Sequence, residues 1–145
     1  MISVNKITNN AQKEEAFEIR NKVFVEEQCV DPELEYDEFE DISTHFIAYY
    51  NNEPAGTSRW RRTENGIKLE RFAVLKKFRG KGVGEALVQE TLKDLPANKE
   101  GEIYLHAQTQ VIPFYQKYGF QAFGDEFEEA GIRHRKMKIS LKEKI

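Results

Sequence analysis

The residues best suited to chemistry form a basic, glycine-rich stretch, Lys76-Lys77-Phe78-Arg79-Gly80-Lys81-Gly82-Val83-Gly84. It follows a run that predicts a strand and precedes a helical pattern that continues to about Leu95. Free N–H groups at a helix N-terminus favour an anion, and glycines let phosphate oxygens approach the backbone. Because Arg79 and Lys81 add positive charge, the pattern predicts a phosphate-binding loop.

Two known nucleotide motifs do not fit this stretch. A nucleoside-triphosphate loop requires Gly-x-x-x-x-Gly-Lys followed by Ser or Thr, and the sequence lacks that order. A dinucleotide fingerprint fits Gly80 and Gly82, but its third glycine position holds Glu85. A turn whose glycines serve only backbone geometry stays open as an alternative, although the basic residues favour an anion site.

The histidines and the single cysteine show no spacing typical of metal ligands, so we expect no metal site. His106 lies in an apolar run, which favours a hydrogen-bonded core histidine over a catalytic one. His45 and His134 are weaker candidates still. Cys29 has no evident histidine partner, which predicts a plain thiol rather than a nucleophile.

The composition is that of a single globular domain, which we predict to span residues 1–145. Hydrophobic residues make up 39% and charged residues 32% of the sequence, with a net charge of −3 that gives no reason to expect nucleic acid. No apolar run approaches the roughly 20 residues that cross a bilayer, so we expect no membrane partner. The N-terminal residues Met1–Lys6 do not resemble a secretory signal, and with one cysteine the sequence predicts a cytoplasmic location.

The elements that must position the basic stretch follow from hydrophobic periodicity. Strands are expected at residues 2–7, 45–50, 55–61, 67–74 and 103–107 and in a final pair after residue 120 whose last member covers about 133–141. Helices are expected at residues 11–27, from the basic stretch to about 95 and at 114–118. Pro96 and Asn98 are expected to end the second helix. This order predicts a mixed α/β sheet with helices on both faces.

At this point the sequence resembles the GNAT superfamily of N-acetyltransferases. Arg79, Gly82 and Gly84 match the family signature Arg/Gln-x-x-Gly-x-Gly/Ala after a central strand. The segment Phe114-Tyr115-Gln116-Lys117-Tyr118-Gly119-Phe120 is similar to a second aromatic motif of the family. The resemblance implies the acyl-CoA N-acyltransferase fold, whose mostly antiparallel sheet contains a splayed parallel central pair, here residues 69–74 and 103–107.

The resemblance also implies acetyl-CoA as co-substrate. Pantetheine would enter between the two parallel strands and pair with main-chain groups of Phe72, Ala73 and Val74. The pyrophosphate would bind the N–H groups of the loop, with two basic side chains nearby. The loop residues concerned are Arg79, Gly80, Lys81, Gly82, Val83 and Gly84.

Two residues are candidates for the chemistry of transfer to a primary amine. Tyr115 matches the family tyrosine that protonates the sulfur of coenzyme A, and a phenol with a pKa of about 10 carries its proton at neutral pH. Glu70, just before the pantetheine-binding backbone, is the first choice for the general base, acting directly or through water. Simple packing of Tyr115 and a solvated or ion-paired Glu70 stay open as alternatives.

The acceptor is the part of the reaction that the sequence describes least. Acidic residues crowd the stretch after the first helix, and a cationic small molecule or lysine-bearing peptide is one hypothesis for what their charge attracts. A solvated acidic surface is the other. The residues concerned are Glu26, Glu27, Asp31, Glu33, Glu35, Asp37, Glu38, Glu40 and Asp41. The resemblance also suggests a homodimer. A non-catalytic acyl-CoA-binding or regulatory domain is the main rival to an enzyme, and a nucleotide-binding module is a weaker one.

Overall fold

A computed structural model describes residues 1–96 and 101–139. Its strands are β1 (Ile2–Lys6), β2 (Thr44–Tyr50), β3 (Glu53–Thr63), β4 (Gly66–Val74), β5 (Glu102–Gln108), β6 (Gln121–Glu129) and β7 (Ile132–Ile139). Its α-helices are α1 (Asn10–Arg20), α2 (Pro32–Glu35), α3 (Val83–Asp94) and α4 (Ile112–Gln116). A π-helical segment covers Asn21–Glu27, and 3-10 turns cover Lys76–Phe78 and Thr109–Val111.

The strands form a seven-stranded sheet in the order β1-β2-β3-β4-β5-β7-β6. Strands β4 and β5 are parallel, whereas β1–β2, β2–β3, β5–β7 and β6–β7 are antiparallel. The predicted mixed, mostly antiparallel sheet with one parallel pair is therefore confirmed.

By its contacts the chain divides into two compact units, Met1–Arg61 with Arg71–Leu95, and Arg62–Glu70 with the chain from Pro96 onward. The single domain over residues 1–145 stays a prediction.

In the first unit, helices cover both faces of the sheet because strand side chains alternate. Phe46 and Ala48 of β2 pack in one cluster with Leu87 of α3. The intervening Ile47 packs in a second cluster with Ile19 of α1. The packing of α3 and α1 on opposite sides of β2 confirms the predicted helices on both faces. Burial of these apolar faces is the main source of stability, at roughly 25 cal/mol per Å².

The second unit contains the parallel ladder and the C-terminal strands. Gly66–Leu69 pairs with Glu102–Leu105, and β5 pairs on its other side with β7. Leu69 and Leu105, opposite each other in the last pair of the ladder, are buried, as expected for a strand pair within a sheet. Beyond that pair β4 continues to Val74 and β5 to Gln108.

Three local expectations differ from the structure. The helix expected at residues 11–27 is α-helical only to Arg20 and π-helical afterwards, and we have no physical account of the change. The short α2 was not expected, although Asp31 caps it and Pro32 opens it, which is a recognisable helix start. On α3 the apolar period predicts a buried stripe of Val83, Leu87, Val88, Leu92 and Leu95. The buried residues of the helix include Thr91 instead of Leu92, and the Thr91 hydroxyl lies 2.9 Å from that of Ser58. Asn98 and the end of the predicted last strand, residues 140–141, lie outside the described residues.

Candidate functional site

The glycine loop (Arg79–Gly84) leads directly into α3. Gly80 and Gly82 have φ values of 77° and 91°, which other L-residues rarely adopt. Gly82 is the N-cap of α3, so the cap residue itself has no side chain that could hydrogen-bond to the first N–H groups of the helix. Since the first N–H groups of a helix have no partner within the helix, this terminus has the geometry that an anion requires.

Apolar packing on the preceding 3-10 turn fixes the position of the glycine loop. Phe78 is buried in the first cluster, with its ring centroid 5.4 Å from that of Tyr50. The N–H group of Leu75 donates to the carbonyl of Ala55 at 2.9 Å. These contacts connect the loop to β2 and β3, so its backbone does not depend on a ligand for its position.

The cations of the loop are engaged to different degrees. Arg79 forms a bidentate pair with Glu27, with both N···O distances at 2.7 Å, and also donates to the carbonyl of Val74 at 3.0 Å. The hydrogen bond from Arg79 lowers the pKa of Glu27, and the same bond raises the pKa of Arg79. Lys81 lies 5.7 Å from the ring centroid of Tyr50. Sequence reasoning missed Glu27 as a partner of the loop because the two residues are 52 positions apart.

The backbone of Phe72, Ala73 and Val74 lies on the last part of β4. Ala73 is buried, and its carbonyl oxygen lies so close to Gly56 that a Cβ on Gly56 would approach it to 2.9 Å. This contact explains the glycine on the neighbouring strand. The structure thus places the three residues that the sequence assigned to pantetheine together with the glycine loop in the first unit.

Arg71, directly before these three residues, has a φ of 60° in the middle of a strand. A non-glycine residue with positive φ is strained, and such strain persists only where the surroundings enforce it. Its Nη2 donates to Asp37 at 3.0 Å and to the carbonyl of Glu35 at 3.2 Å. The irregular backbone of β4 is therefore fixed by side-chain bonds to the segment around α2.

The acidic segment (Asp31–Asp41) is bound by buried arginines. Arg20, 1% exposed, donates to Glu35 at 2.6 Å and to Glu40 at 2.9 and 2.7 Å. Arg59, 0% exposed, donates to Asp37 at 3.1 and 2.7 Å and to Glu40 at 2.9 Å. These carboxylates are neutralised inside the protein, so their charges are not available to attract a cationic acceptor. The arginine–carboxylate network consists of Arg20, Arg59, Arg71, Glu35, Asp37 and Glu40.

Tyr115 lies on α4 in the second unit and is 7% exposed. Its ring packs edge-on against those of Phe114 and Phe120, with centroids 5.1 and 6.1 Å away. Burial raises the pKa of Tyr115 well above its ordinary value of 10. The hydroxyl therefore keeps its proton at neutral pH, as a proton donor must.

Glu70 also belongs to the second unit and is not a solvated carboxylate. Its side chain is 7% exposed and lies 3.3 Å from the ammonium group of Lys68, two residues earlier on the same face of β4. His106, on β5, has its Nδ1 atom 2.9 Å from a carboxylate oxygen of Glu129. The hydrogen bond with His106 lowers the pKa of Glu129, so that carboxyl group is ionised at neutral pH.

The remaining candidates from the sequence have ordinary surroundings. The Nε2 atom of His45 lies 2.8 Å from the carbonyl oxygen of Glu40, and Cys29 is exposed. Among residues 1–96 and 101–139, no group of three or more His, Cys, Asp or Glu side chains is arranged to hold a metal ion. In the same part of the chain, no helix has the length and apolar character needed to cross a membrane.

Comparison with known proteins agrees with this geometry. A family model described as an acetyltransferase (GNAT) domain matches residues 7–141. The sequence is 41% identical over 130 residues to YjcF of Bacillus subtilis, named as an uncharacterized N-acetyltransferase, and the alignment covers 89% of this chain and 93% of YjcF.

Two solved structures have the same fold. The crystal structure of Escherichia coli ElaA matches with a TM-score of 0.82 at 25% identity, covering 97% of this chain and 100% of ElaA. A GNAT family acetyltransferase from Elizabethkingia anophelis, solved with acetyl-CoA bound, matches with a TM-score of 0.64 at 20% identity over 94% of each chain. The sheet with its parallel pair is therefore the fold that the sequence predicted.

Proposed function

The chain belongs to the GNAT family of acetyltransferases, and from this premise we propose that it transfers an acetyl group from acetyl-CoA to a primary amine by direct attack within a ternary complex. The observation that carries the proposal is the glycine loop at the N-terminus of α3, with two left-handed glycines and no capping side chain. Such a terminus favours the diphosphate that coenzyme A carries. The related acetyltransferase with acetyl-CoA bound supports the choice of co-substrate.

In this proposal the first unit holds the co-substrate. The N–H groups of Gly80, Lys81, Gly82, Val83 and Gly84 receive the pyrophosphate, with the side chains of Lys81 and Arg79 as its cations. Main-chain groups of Phe72, Ala73 and Val74 pair with pantetheine. The hydrogen bond from Arg79 to the carbonyl of Val74 leaves that carbonyl with one lone pair for a further donor.

Tyr115 and Glu70 move the protons in this proposal. The neutral amine attacks the thioester carbonyl carbon, the C–N bond forms, and the C–S bond breaks with its electron pair going to sulfur. Tyr115 gives its proton to that sulfur, and the nitrogen loses one proton through water to Glu70. Glu70 then releases its proton to solvent and Tyr115 takes one back from solvent, so both residues are restored and the step balances.

The decisive experiment follows release of coenzyme A with a panel of primary amines. Wild-type protein is expected to turn over at least one amine, and Tyr115→Phe is expected to lower kcat by about 100-fold with little change in acetyl-CoA binding, because a positioned acid contributes about 10²–10⁴-fold. Binding of acetyl-CoA without turnover of any amine would instead favour a non-catalytic acyl-CoA-binding domain.

A pair of glycine variants tests the glycine loop itself. Gly80 and Gly124 have φ values of 77° and 75°, and an added Cβ would meet nothing within 4 Å at either position. Gly80→Ala and Gly124→Ala therefore introduce the same backbone strain, but only the first places a methyl group where phosphate would bind. We expect calorimetry to show about tenfold weaker acetyl-CoA binding for Gly80→Ala alone, the size of one lost charged hydrogen bond. Equal affinities would contradict the loop assignment.

The acceptor, the oligomeric state and the cellular location of the protein are also proposals. We propose a small-molecule or peptide amine as the acceptor, because a free amine is what the reaction consumes. A homodimer and a cytoplasmic location stay predictions from the sequence. Size-exclusion chromatography with light scattering measures the oligomeric state directly, and a monomer at micromolar concentration would contradict the dimer.

A further inference from the structure

We propose that His106, held by Glu129, takes the first proton from the acceptor ammonium before attack. This inference rests on the proposed function, and it adds a second catalytic residue to the step assigned to Glu70. A primary amine such as a lysine side chain has a pKa near 10.4 and is protonated at neutral pH. Its nitrogen must therefore lose one proton before it attacks and another afterwards, so the reaction needs two proton acceptors.

The hydrogen bond with Glu129 determines which nitrogen of His106 accepts that proton. An ionised carboxylate only accepts hydrogen bonds, so the Nδ1 atom, 2.9 Å from Glu129, carries the hydrogen of the neutral ring. The Nε2 atom is then the basic nitrogen, and it has no hydrogen-bond partner among the described residues. The imidazole is 17% exposed. The arrangement leaves one oriented, basic nitrogen on a partly exposed ring.

The position of His106 in the sheet also supports the role. The parallel ladder ends with Leu69 opposite Leu105, so Glu70 and His106 are the next residues on the two strands. Both lie on the face opposite to that of the two buried leucines, because strand side chains alternate. A histidine and a glutamate therefore reach the same level of the same face, where the two strands cease to pair.

Charged and titratable groups surround the ring from three strands. His134 lies beyond the carboxylate of Glu129 with Nε2···O at 4.0 Å, and its Nδ1 atom donates to the carbonyl of Ile132 at 2.7 Å. The charged and titratable groups around His106 include Tyr104 of its own strand, Lys68 and Glu70 from β4, Glu129 from β6, and His134 and Lys136 from β7. The two carboxylates balance the charge of the two lysines, and the carboxylate of Glu129 is hydrogen-bonded to the ring directly.

The added step balances with the proposed reaction. The ammonium gives one proton to Nε2 of His106, the neutral amine keeps the electron pair, and that pair forms the C–N bond to the acetyl carbon. The second proton leaves through Glu70 as described above, while the proton on His106 passes to solvent. The net products are the amide, the thiol of coenzyme A and one released proton, so no other co-reactant is required.

Amines of different basicity give the sharpest test. We expect His106→Gln to lower kcat/KM by about 100-fold for an alkylamine that is protonated at the assay pH, the usual contribution of a general base. For an amine that is already neutral at that pH, the loss should be less than about fivefold, since no first proton has to be removed. Glu70→Gln should lower both rates by the same factor. Equal losses for both amines in His106→Gln would overturn the proposal.

Two further variants separate a proton transfer role from a structural one. His134→Gln removes an imidazole beside the same carboxylate, and we expect kcat within about threefold of wild type because His134 is not the acceptor. Glu129→Gln tests the positioning residue, and we expect a smaller kcat with an unchanged KM for acetyl-CoA. A kcat loss in His134→Gln equal to that in His106→Gln would overturn the assignment of His106.

A spectroscopic measurement separates failure of this inference from failure of the proposed function. Long-range ¹H–¹⁵N spectra of the full chain report the tautomer of each histidine without any need for turnover. Protonation at Nδ1 of His106 in wild type, lost in Glu129→Gln, supports the proposal. A ring protonated at Nε2 cannot accept the proton there and overturns it, whether or not any amine in the panel is acetylated.

Discussion

The acidic segment and the glycine loop both contain many charged side chains, but the charges are buried and paired in the first and largely exposed in the second. In the acidic segment, Glu35, Asp37 and Glu40 are paired inside the first unit with arginines from α1, β3 and β4. In the glycine loop, Lys81 packs near a tyrosine ring at the surface, while the pair between Arg79 and Glu27 is about 40% exposed on both sides.

The difference teaches that a run of like charges is not evidence of a binding surface by itself. A buried carboxylate requires a partner, and the partners Arg20, Arg59 and Arg71 come from other elements of the unit. A helix N-terminus, by contrast, retains its affinity for anions because its N–H groups have no partner within the helix. Local backbone geometry is therefore the better ground on which to propose a ligand site in this protein.

The largest effect is expected from breaking the arginine–carboxylate network. Arg20→Ala leaves Glu35 and Glu40 without their main cation in a buried position, and removal of one partner of a buried pair costs about 3–5 kcal/mol. That loss is a large part of an ordinary stability of about 5–15 kcal/mol, so urea unfolding should show a strongly shifted midpoint.

An exposed pair is the matched control for this variant. Lys22 and Glu18 are 3.5 Å apart, and their side chains are 50% and 68% exposed. Lys22→Ala should cost less than about 0.5 kcal/mol, because exposed helix pairs contribute little. A similar loss of stability in both variants would mean that the burial of Arg20 does not increase its contribution to the free energy of unfolding.

Acid is a milder way to weaken the same network. Burial, the largest single effect, raises the pKa of both Asp37 and Glu40, but hydrogen bonds and charges from the arginines outweigh it, so each pKa lies below its ordinary value of 3.8 or 4.5. A carboxyl group whose pKa is lowered in the folded protein contributes its full stabilisation when the pH is above its ordinary pKa. This contribution is lost as the pH falls through the pKa of the folded protein. Urea unfolding between pH 6 and pH 3 should show stability decreasing below about pH 4.5, and less so in Asp37→Asn. Parallel curves for the two proteins would contradict this origin.

The sequence predicted the fold well because its signals were local. The period of apolar residues set the strands, and Asn51-Asn52 supplied the two positive φ values that the turn between β2 and β3 requires. The π-helical segment Asn21–Glu27 was missed since its residues have the periodicity of an ordinary helix. The start of α2 has a recognisable signal in Asp31 and Pro32, but a helix of four residues is too short to show an apolar period.

The site was predicted unevenly for the same reason. The glycine loop and Tyr115 belong to short motifs, so each could be read from neighbouring residues. The partners of Glu27, Glu70 and His106 depend on chain geometry. His106 and Glu129 are 23 residues apart and meet through the pairing of β5, β7 and β6. No spacing rule connects those two positions, so the sequence favoured a structural histidine.

The smallest effect is expected from Glu27. This carboxylate pairs with Arg79, so it could neutralise a charge of the glycine loop in the way that the arginines neutralise the acidic segment. Glu27 holds both terminal nitrogens of Arg79, so a phosphate that binds this guanidinium competes with the carboxylate for its charge. Glu27→Gln should therefore tighten acetyl-CoA binding by up to about fivefold, the measure of an exposed ion pair of 0.2–1 kcal/mol. Glu53→Gln, which frees Lys77 from a more exposed pair at 3.0 Å, controls for the loss of one negative charge. Calorimetry at low salt distinguishes the outcomes: equal gains in both variants would indicate a general charge effect, and weaker binding in Glu27→Gln alone would mean that Glu27 positions Arg79 for the phosphate instead of competing with it.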